Sequence, residues 1–348
     1  MSVNNRLRNR AGIRKKKRRR RVFFFIFLPI FLLTIAGLGY GAYLYTKAAD
    51  VLGLSKVELS RGDQSAKRIK KVDPKHDNIS ILIMGVDDSK VRNQGDATRT
   101  DALILASFNK DEKTVKMLSI PRDSYVYIPS EGKRDKITHA HAYGGVDGTI
   151  ETVEELFDVP VDYFVKLNFD AFIDVVEALN GIKVDVPVEF TEQNSKDTGD
   201  AIHLKKGVQK LNGEEALALA RTRKIDNDIE RGKRQQLILR AIIDKAISAG
   251  SITKYGDVME ALGDNITTNM EFGEMLSLYD YALKGLDIES LTMEGQDARI
   301  NDVYYFQLDQ ANVYELSSMF KSHLDLSSMS SSRDDGTEED ETINSDNP

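Results

Sequence analysis

Arginines recur in three short motifs: Arg99 in TRTDALIL (98–105), Arg122 in LSIPRDS (118–124), and Arg221, Arg223 and Arg231 in ARTRKIDNDIERGKRQQ (220–236). A guanidinium is a planar fork of donors that matches phosphate oxygens, and several forks aimed at one point require a strongly anionic ligand. The chemistry they point to is binding of a phosphate or pyrophosphate. Taken singly, each of these arginines would be expected to pair with Asp226, Asp228 or Glu230 on a solvated surface. Taken together on apolar elements, they favour a shared ligand.

The elements that must position them alternate between strand and helix patterns. Apolar runs predict strands over 80–86, 102–108, 115–120, 163–168 and 182–187, and periodic stretches predict helices over 148–157, 171–180, 213–220 and 231–247. The first strands are apolar on both faces, so the sheet is expected to be covered on both sides. The fold class is α/β: a three-layer α/β/α sandwich with a central mixed sheet, preceded by one transmembrane helix. Residues 250–325 read as a less regular α+β extension with a late strand near SLTMEG and a closing helix near VYELSSMF.

The NKDEK turn (109–113) is short enough to make strands 102–108 and 115–120 an antiparallel hairpin. If strand 80–86 is also antiparallel to 102–108, three loci share one sheet edge: Asp87 and Asp88, then Arg99 and Asp101, then Arg122 and Asp123. In the helix that follows, Arg231, Arg234 and Gln235 are spaced i, i+3, i+4 and continue into the apolar face of Ile238, Ala241 and Ile242. These groups are therefore expected to point toward the core at a helix N-terminus, where amide donors favour an anion.

Composition bounds the function. The net charge is −7, yet residues 1–21 hold eleven Lys or Arg and no acid, so the rest of the chain is far more acidic than the net figure. Such a body does not bind nucleic acid nonspecifically. There is no cysteine, which excludes disulfides, thiol nucleophiles and cysteine-ligated metals. Residues 22–45 are uncharged, and a helix of that length spans roughly 36 Å, enough for a hydrocarbon core. They are expected to form an uncleaved signal anchor. The basic block before them predicts a cytoplasmic N-terminus and an outward-facing remainder, a single-pass type II membrane protein. Residues 46–77 read as a polar, loosely ordered stem, 78–326 as the globular domain, and the acidic 327–348 as a disordered tail.

Seven segments carry a family resemblance in their order along the chain. GVDD (85–88), RTDALIL (99–105), LSIPRDSYVYIP (118–129), KITHAHAYGG (136–145), VDYFVKLNFDAFIDVVEALNGIKVDVP (161–187), LNGEEALALARTR (211–223) and ERGKRQQ (230–236) resemble those of LytR-CpsA-Psr proteins, over a motif core of 80–250. The resemblance implies an extracellular phosphotransferase that moves an anionic glycopolymer, wall teichoic acid or capsule-like, from an undecaprenyl-pyrophosphate carrier to a peptidoglycan hydroxyl. Membrane lipid and peptidoglycan are then partners, and nucleic acid is not.

Carried onto this chain, the resemblance makes Asp87 and Asp101 ligands of a magnesium (or manganese) ion. It makes Arg99, Arg122, Arg221, Arg223, Arg231, Arg234 and Gln235 pyrophosphate contacts. Asp101, Arg122 and Asp123 are the catalytic candidates, with either acid able to serve as general base. The lipid tail needs an apolar tunnel between the sheet and the helices at 171–180 and 231–247, although those faces could equally be packed core. The first loop departs from the family pattern: Ser89 and Lys90 stand where many members have an arginine, leaving Lys90 or Arg92 to replace it. His139 and His141 read as wall residues. Two other classes remain open, a membrane-located transcriptional attenuator and a noncatalytic receptor for prenyl pyrophosphates.

Overall fold

The computed structural model describes residues 46, 56–86, 98–248, 266–271, 273–275, 277–278 and 287–326. The chain divides into two units, Met1–Asp50 and Val51–Pro348. Of the first, only Thr46 is described, and every element below belongs to the second. The basic segment, the 22–45 run, Asp87, Asp88 and the acidic tail lie outside the described residues. Among the described residues no helix is long and apolar enough to cross a membrane.

Fourteen strands are described: β1 (Ile79–Val86), β2 (Thr100–Asn109), β3 (Thr114–Ser119), β4 (Tyr125–Ile128), β5 (Lys133–Lys136), β6 (Tyr163–Leu167), β7 (Ile182–Val186), β8 (Phe190–Glu192), β9 (Ile202–Leu204), β10 (Gly207–Leu211), β11 (Ile266–Thr268), β12 (Asp287–Thr292), β13 (Gly295–Ile300) and β14 (Val303–Leu308). The principal helices are α1 (His139–Phe157), α2 (Phe169–Ala178), α3 (Gly213–Arg221), α4 (Asp228–Ile247) and α5 (Gln310–His323).

The fold is mixed α/β around a central six-stranded mixed sheet of order β11-β6-β1-β2-β3-β12. As expected, β1 is antiparallel to β2, with Ile83 opposite Ile104, and β2 is antiparallel to β3. β6 runs parallel to β1 and β12 parallel to β3. The apolar character of both faces has its reason in the layers that cover them. Leu82, Met84, Leu103 and Leu105 share a core with Phe157 of α1 and Phe320 of α5. Ile104, Ala106, Val115 and Met117 face Leu239 and Ile243 of α4 instead. Fully buried Phe157, Phe164 and Phe320 each contribute about 1.5–3 kcal/mol of burial.

Four expectations are corrected. The 250–325 region is not an extension, because it supplies both edge strands of the central sheet, β11 and β12. Edge strands are short and half polar, so neither shows a continuous apolar run. Strand β7, buried only at alternate residues, leaves the central sheet and pairs with β10. The stem is ordered from Lys56 onward: Arg68 donates to both Asp162 oxygens at 2.8 and 2.6 Å, and Arg61 pairs with Glu154 at 2.7 Å. Ion pairs and two isolated apolar anchors, Leu59 and Val72, hold it, so no hydrophobic period marks it. Finally, α4 begins at Asp228, where Asn227 accepts from the Glu230 amide at 3.0 Å. Asp228 and Glu230 occupy the first turn, so its dipole is already complemented by acids rather than open to a ligand.

Candidate functional site

Two of the three loci predicted to meet do so where β2 starts and β3 ends, through Asp101 and Arg122; the third, Asp87 and Asp88, lies outside the described residues. Asp101, second residue of β2, accepts at Oδ1 from Arg122 Nη1 at 2.5 Å. Arg122 sits beyond the end of β3, and its own carbonyl accepts from the Thr138 amide at 3.1 Å. The Phe306 amide donates to the Asp123 carbonyl at 2.9 Å. Two backbone bonds therefore fix where the Arg122 fork starts.

Asp123 points elsewhere. It is buried, with Lys136 Nζ 2.8 Å from Oδ1 and Arg122 Nε 3.6 Å from Oδ2. Burial pushes its carboxyl up, but the Lys136 bond and the Arg122 charge outweigh that and hold it below the usual carboxylate range.

α4 brings the later arginines in. Arg231 is buried, and its Nη1 lies 2.9 Å from Asp228 Oδ1, which also has Arg223 at 4.0 Å. Burial pushes the Arg231 guanidinium down to about 10 against the pull of Asp228, and the Arg223 and Arg122 charges push the same way. It stays charged at neutral pH, so the guanidiniums of Arg122, Arg223 and Arg231, with Lys136 beside them, outnumber the carboxylates of Asp101, Asp123 and Asp228. That arrangement favours an anion.

Below the arginines lies a cavity of about 610 Å³. Its walls are apolar side chains of the sheet (Ile83, Ile104, Val165) and of the helices (Phe172, Leu217, Ile238), between the sheet and α2, α3 and α4. This is the space in which a tunnel was expected; the core-packing alternative fails because the faces do not close. Asp101, Arg122, Arg221, Arg223, Arg231 and Gln235 line the same cavity. It is an apolar chamber with a cationic rim.

The remaining candidates fall outside it. Arg99 is exposed and does not line the cavity. Arg234 is buried in a structural role: it pairs with Asp226 and donates to the carbonyls of Leu219 at 3.1 Å and Thr222 at 2.7 Å. Its i+3 spacing placed it on the inner face, where the turn after α3 takes up the fork. Arg221 reaches the rim but also donates to Gln193 O at 2.5 Å and Asn194 O at 2.6 Å, pinning the loop after β8. His139 lies 2.9 Å from Asp135, and His141 donates to Thr98 O at 2.8 Å; neither lines the cavity.

Sequence reasoning missed Glu192, Gln193 and Lys224, which also line the cavity, with Lys224 3.2 Å from Glu192. β8 is three residues long in a polar stretch and carries no legible signal. Among the described residues no group of three or more His, Cys, Asp or Glu could hold a metal. Asp101 alone still fits a magnesium ion that draws most of its ligands from phosphate oxygens and water. The buried Nε of Arg221, which has no hydrogen-bond partner among the described residues, is a donor suited to the same anion.

A sequence model of the LytR_cpsA_psr family matches residues 43–322. The chain is 46% identical over 291 residues to the polyisoprenyl-teichoic acid–peptidoglycan teichoic acid transferase TagT of Bacillus subtilis (strain 168), covering 83% of this chain and 90% of that one. It is similar to the solved structure of TagT bound to LIIa-WTA, with TM-score 0.66 and 45% identity over 77% of this chain and 99% of that one. A structure of YwtF (TagT) with bound octaprenyl pyrophosphate lipid matches with TM-score 0.62 and 42% identity, covering 77% and 99%.

Proposed function

The chain belongs to the LytR-CpsA-Psr family, and on that premise we propose that it is a teichoic acid transferase of the cell envelope. It attaches an anionic glycopolymer, carried on undecaprenyl pyrophosphate, to peptidoglycan and releases undecaprenyl phosphate. One observation carries the reading: an apolar cavity of about 610 Å³ opens at Arg122, Arg223 and Arg231. Only an amphipathic ligand with a polyanionic head on an apolar tail satisfies both parts. A water-soluble nucleotide would leave the chamber unfilled, and a plain lipid would leave the excess positive charge of the rim unmatched.

The residues divide the work. The chamber takes the prenyl tail, and Arg122, Arg223 and Arg231 grip the pyrophosphate, with Arg221 and Gln235 beside them. The acceptor oxygen attacks the phosphorus nearest the glycan, the bond from that phosphorus to the bridging oxygen breaks, and undecaprenyl phosphate leaves with the electron pair. The guanidiniums neutralise charge on the leaving phosphate, so catalysis is mainly positioning and electrostatics. Of the two acids that could take the hydroxyl proton, Asp101 lines the cavity while Asp123 is bonded to Lys136. Asp101 is therefore the base in this scheme, released when the pyrophosphate draws Arg122 from it, while Asp123 stays on Lys136. A magnesium ion bound by Asp101 together with Asp87 would add charge neutralisation at the pyrophosphate. In the cell, residues 22–45 anchor the protein as a single-pass type II membrane protein, with a three-layer α/β/α domain facing outward.

The test incubates the purified full-length chain in detergent with a lipid-pyrophosphate-linked teichoic acid precursor, magnesium and uncrosslinked peptidoglycan strands. Polymer covalently joined to the strands is expected. Binding of the precursor without any joined product would identify a receptor instead and overturn the enzyme reading.

A further inference from the structure

Next to Arg122 and Asp123 the chain builds a wall of tyrosines that the scheme above leaves unused. In the β4–β5 ribbon, Tyr125 stands opposite Lys136 and Tyr127 opposite Arg134. Val126 and Ile128 go into the core, so by strand alternation Tyr125 and Tyr127 face the other way. β14 docks alongside through a bridge between Ser124 and Phe306. It sets Tyr305 edge-on to Tyr125, ring centroids 4.8 Å apart. Lys136 Nζ lies 5.6 Å from the ring centres of both Tyr304 and Tyr305 while bonded to Asp123. Asp135 accepts from Tyr143 at 2.9 Å and has the Tyr305 hydroxyl 3.5 Å from its other oxygen, joining the Tyr143 ring to the group. Tyr127 and Tyr143 remain 41% and 42% exposed.

We propose that this wall is the acceptor subsite and binds the amino-sugar backbone of peptidoglycan; the assignment of that ligand rests on the transferase reading. Position is the first argument. Lys136 ties the wall to Asp123, and the adjacent Arg122 carries Asp101 at the rim, so a sugar on the wall lies beside the base and the pyrophosphate site. Chemistry is the second. A pyranose has a C–H face that packs on an aromatic ring and a hydroxyl edge that needs polar partners, and tyrosine supplies both from a rigid side chain. The third is charge. The polyanionic donor is matched by the guanidinium rim, whereas the cations of the wall are set among rings and carboxylates: Lys133 lies 4.7 Å from the Tyr143 ring centre, and Lys136 bonds Asp123. Such a surface suits a neutral sugar chain bearing scattered carboxylates.

The experiment measures binding of uncrosslinked peptidoglycan strands, and of octaprenyl pyrophosphate as donor probe, to the full-length chain carrying Tyr127→Ala or Tyr143→Ala. Both positions are exposed, so folding is preserved, and Tyr127→Phe controls for the loss of the ring. Strand affinity and the acceptor KM are expected to worsen about tenfold in each alanine variant, with donor Kd unchanged and Tyr127→Phe close to the unmodified protein. Strand affinity unchanged in both alanine variants overturns the wall, as does a donor Kd that worsens in step. Strands that bind through the tyrosines yet never receive polymer would sink the transferase reading and leave the wall standing.

Discussion

Arg122 Nη1 and Asp101 Oδ1 meet at 2.5 Å across two strands whose antiparallel pairing sets the distance. The pair belongs to the rim of the cavity, so substrate must share or displace it. Arg122→Ala removes a donor aimed at developing charge, and losing one such donor costs about 10²–10³ in kcat. Arg122→Lys keeps the charge without the fork and is expected to recover only part of that loss. Steady-state transfer to peptidoglycan strands measures both; an Arg122→Ala enzyme within threefold of the unmodified protein would remove Arg122 from the chemistry.

Two arginines three residues apart on α4 separate binding from folding. Arg231 lines the cavity, and Arg231→Ala should weaken octaprenyl pyrophosphate binding with little change in thermal stability. Arg234 holds Asp226 and two carbonyls, so Arg234→Ala should cost about 2–4 kcal/mol of stability from stranded buried partners. Its donor affinity, measured well below the melting temperature, should stay near that of the unmodified protein. The reverse pattern would exchange the two roles.

That pair also marks how far the sequence could be read. The short turn after Phe108 and the apolar runs on either side were enough to pair β2 with β3 and to bring Asp101 and Arg122 to one edge, whereas the place of β1 beside β2 was a supposition that the pairing met. Helical spacing put Arg234 on the inner face of α4, but spacing does not say whether a fork reaches a ligand or folds back onto the turn before it. The late strand near SLTMEG was legible and is β12, but its place at the edge of the central sheet was not, since an edge strand such as DIESLT buries little, and β11 gave no signal. Arg68 looked like one more charge in a polar stem because its partner, Asp162, lies 94 residues away.

Gly213 sets how closely α3 crosses α2. A Cβ there would lie 2.6 Å from the Ile173 carbonyl oxygen and 2.9 Å from its Cα, both backbone atoms that cannot rotate aside. Gly213→Ala is therefore expected to destabilise the domain by about 1–3 kcal/mol, the usual cost of overpacking. Leu217 and Phe172 of these helices line the cavity, so the forced separation should also weaken donor binding. Denaturant melts and octaprenyl pyrophosphate titration test the two effects, and an unchanged melt would show that the helices slide apart freely.

His323 supplies a pH dependence remote from the site. Its ring is buried between Ser107 Oγ, 2.7 Å from Nδ1, and Thr114 Oγ1, 2.8 Å from Nε2. Burial, with the Lys116 charge adding to it, pushes the imidazole down to about 4. The unfolded chain, with a pKa of about 6.5, takes up the proton first as pH falls, so the stability from neutral His323 is complete above that value and declines toward pH 4. Over that window the loss amounts to roughly 3 kcal/mol. His323→Gln cannot titrate, so its stability should fall less steeply between pH 6.5 and 4 than that of the unmodified protein in matched denaturant melts. Parallel curves would mean that the α5 histidine takes up its proton equally readily in the folded and the unfolded chain, so that the two hydroxyls do not hold the ring neutral.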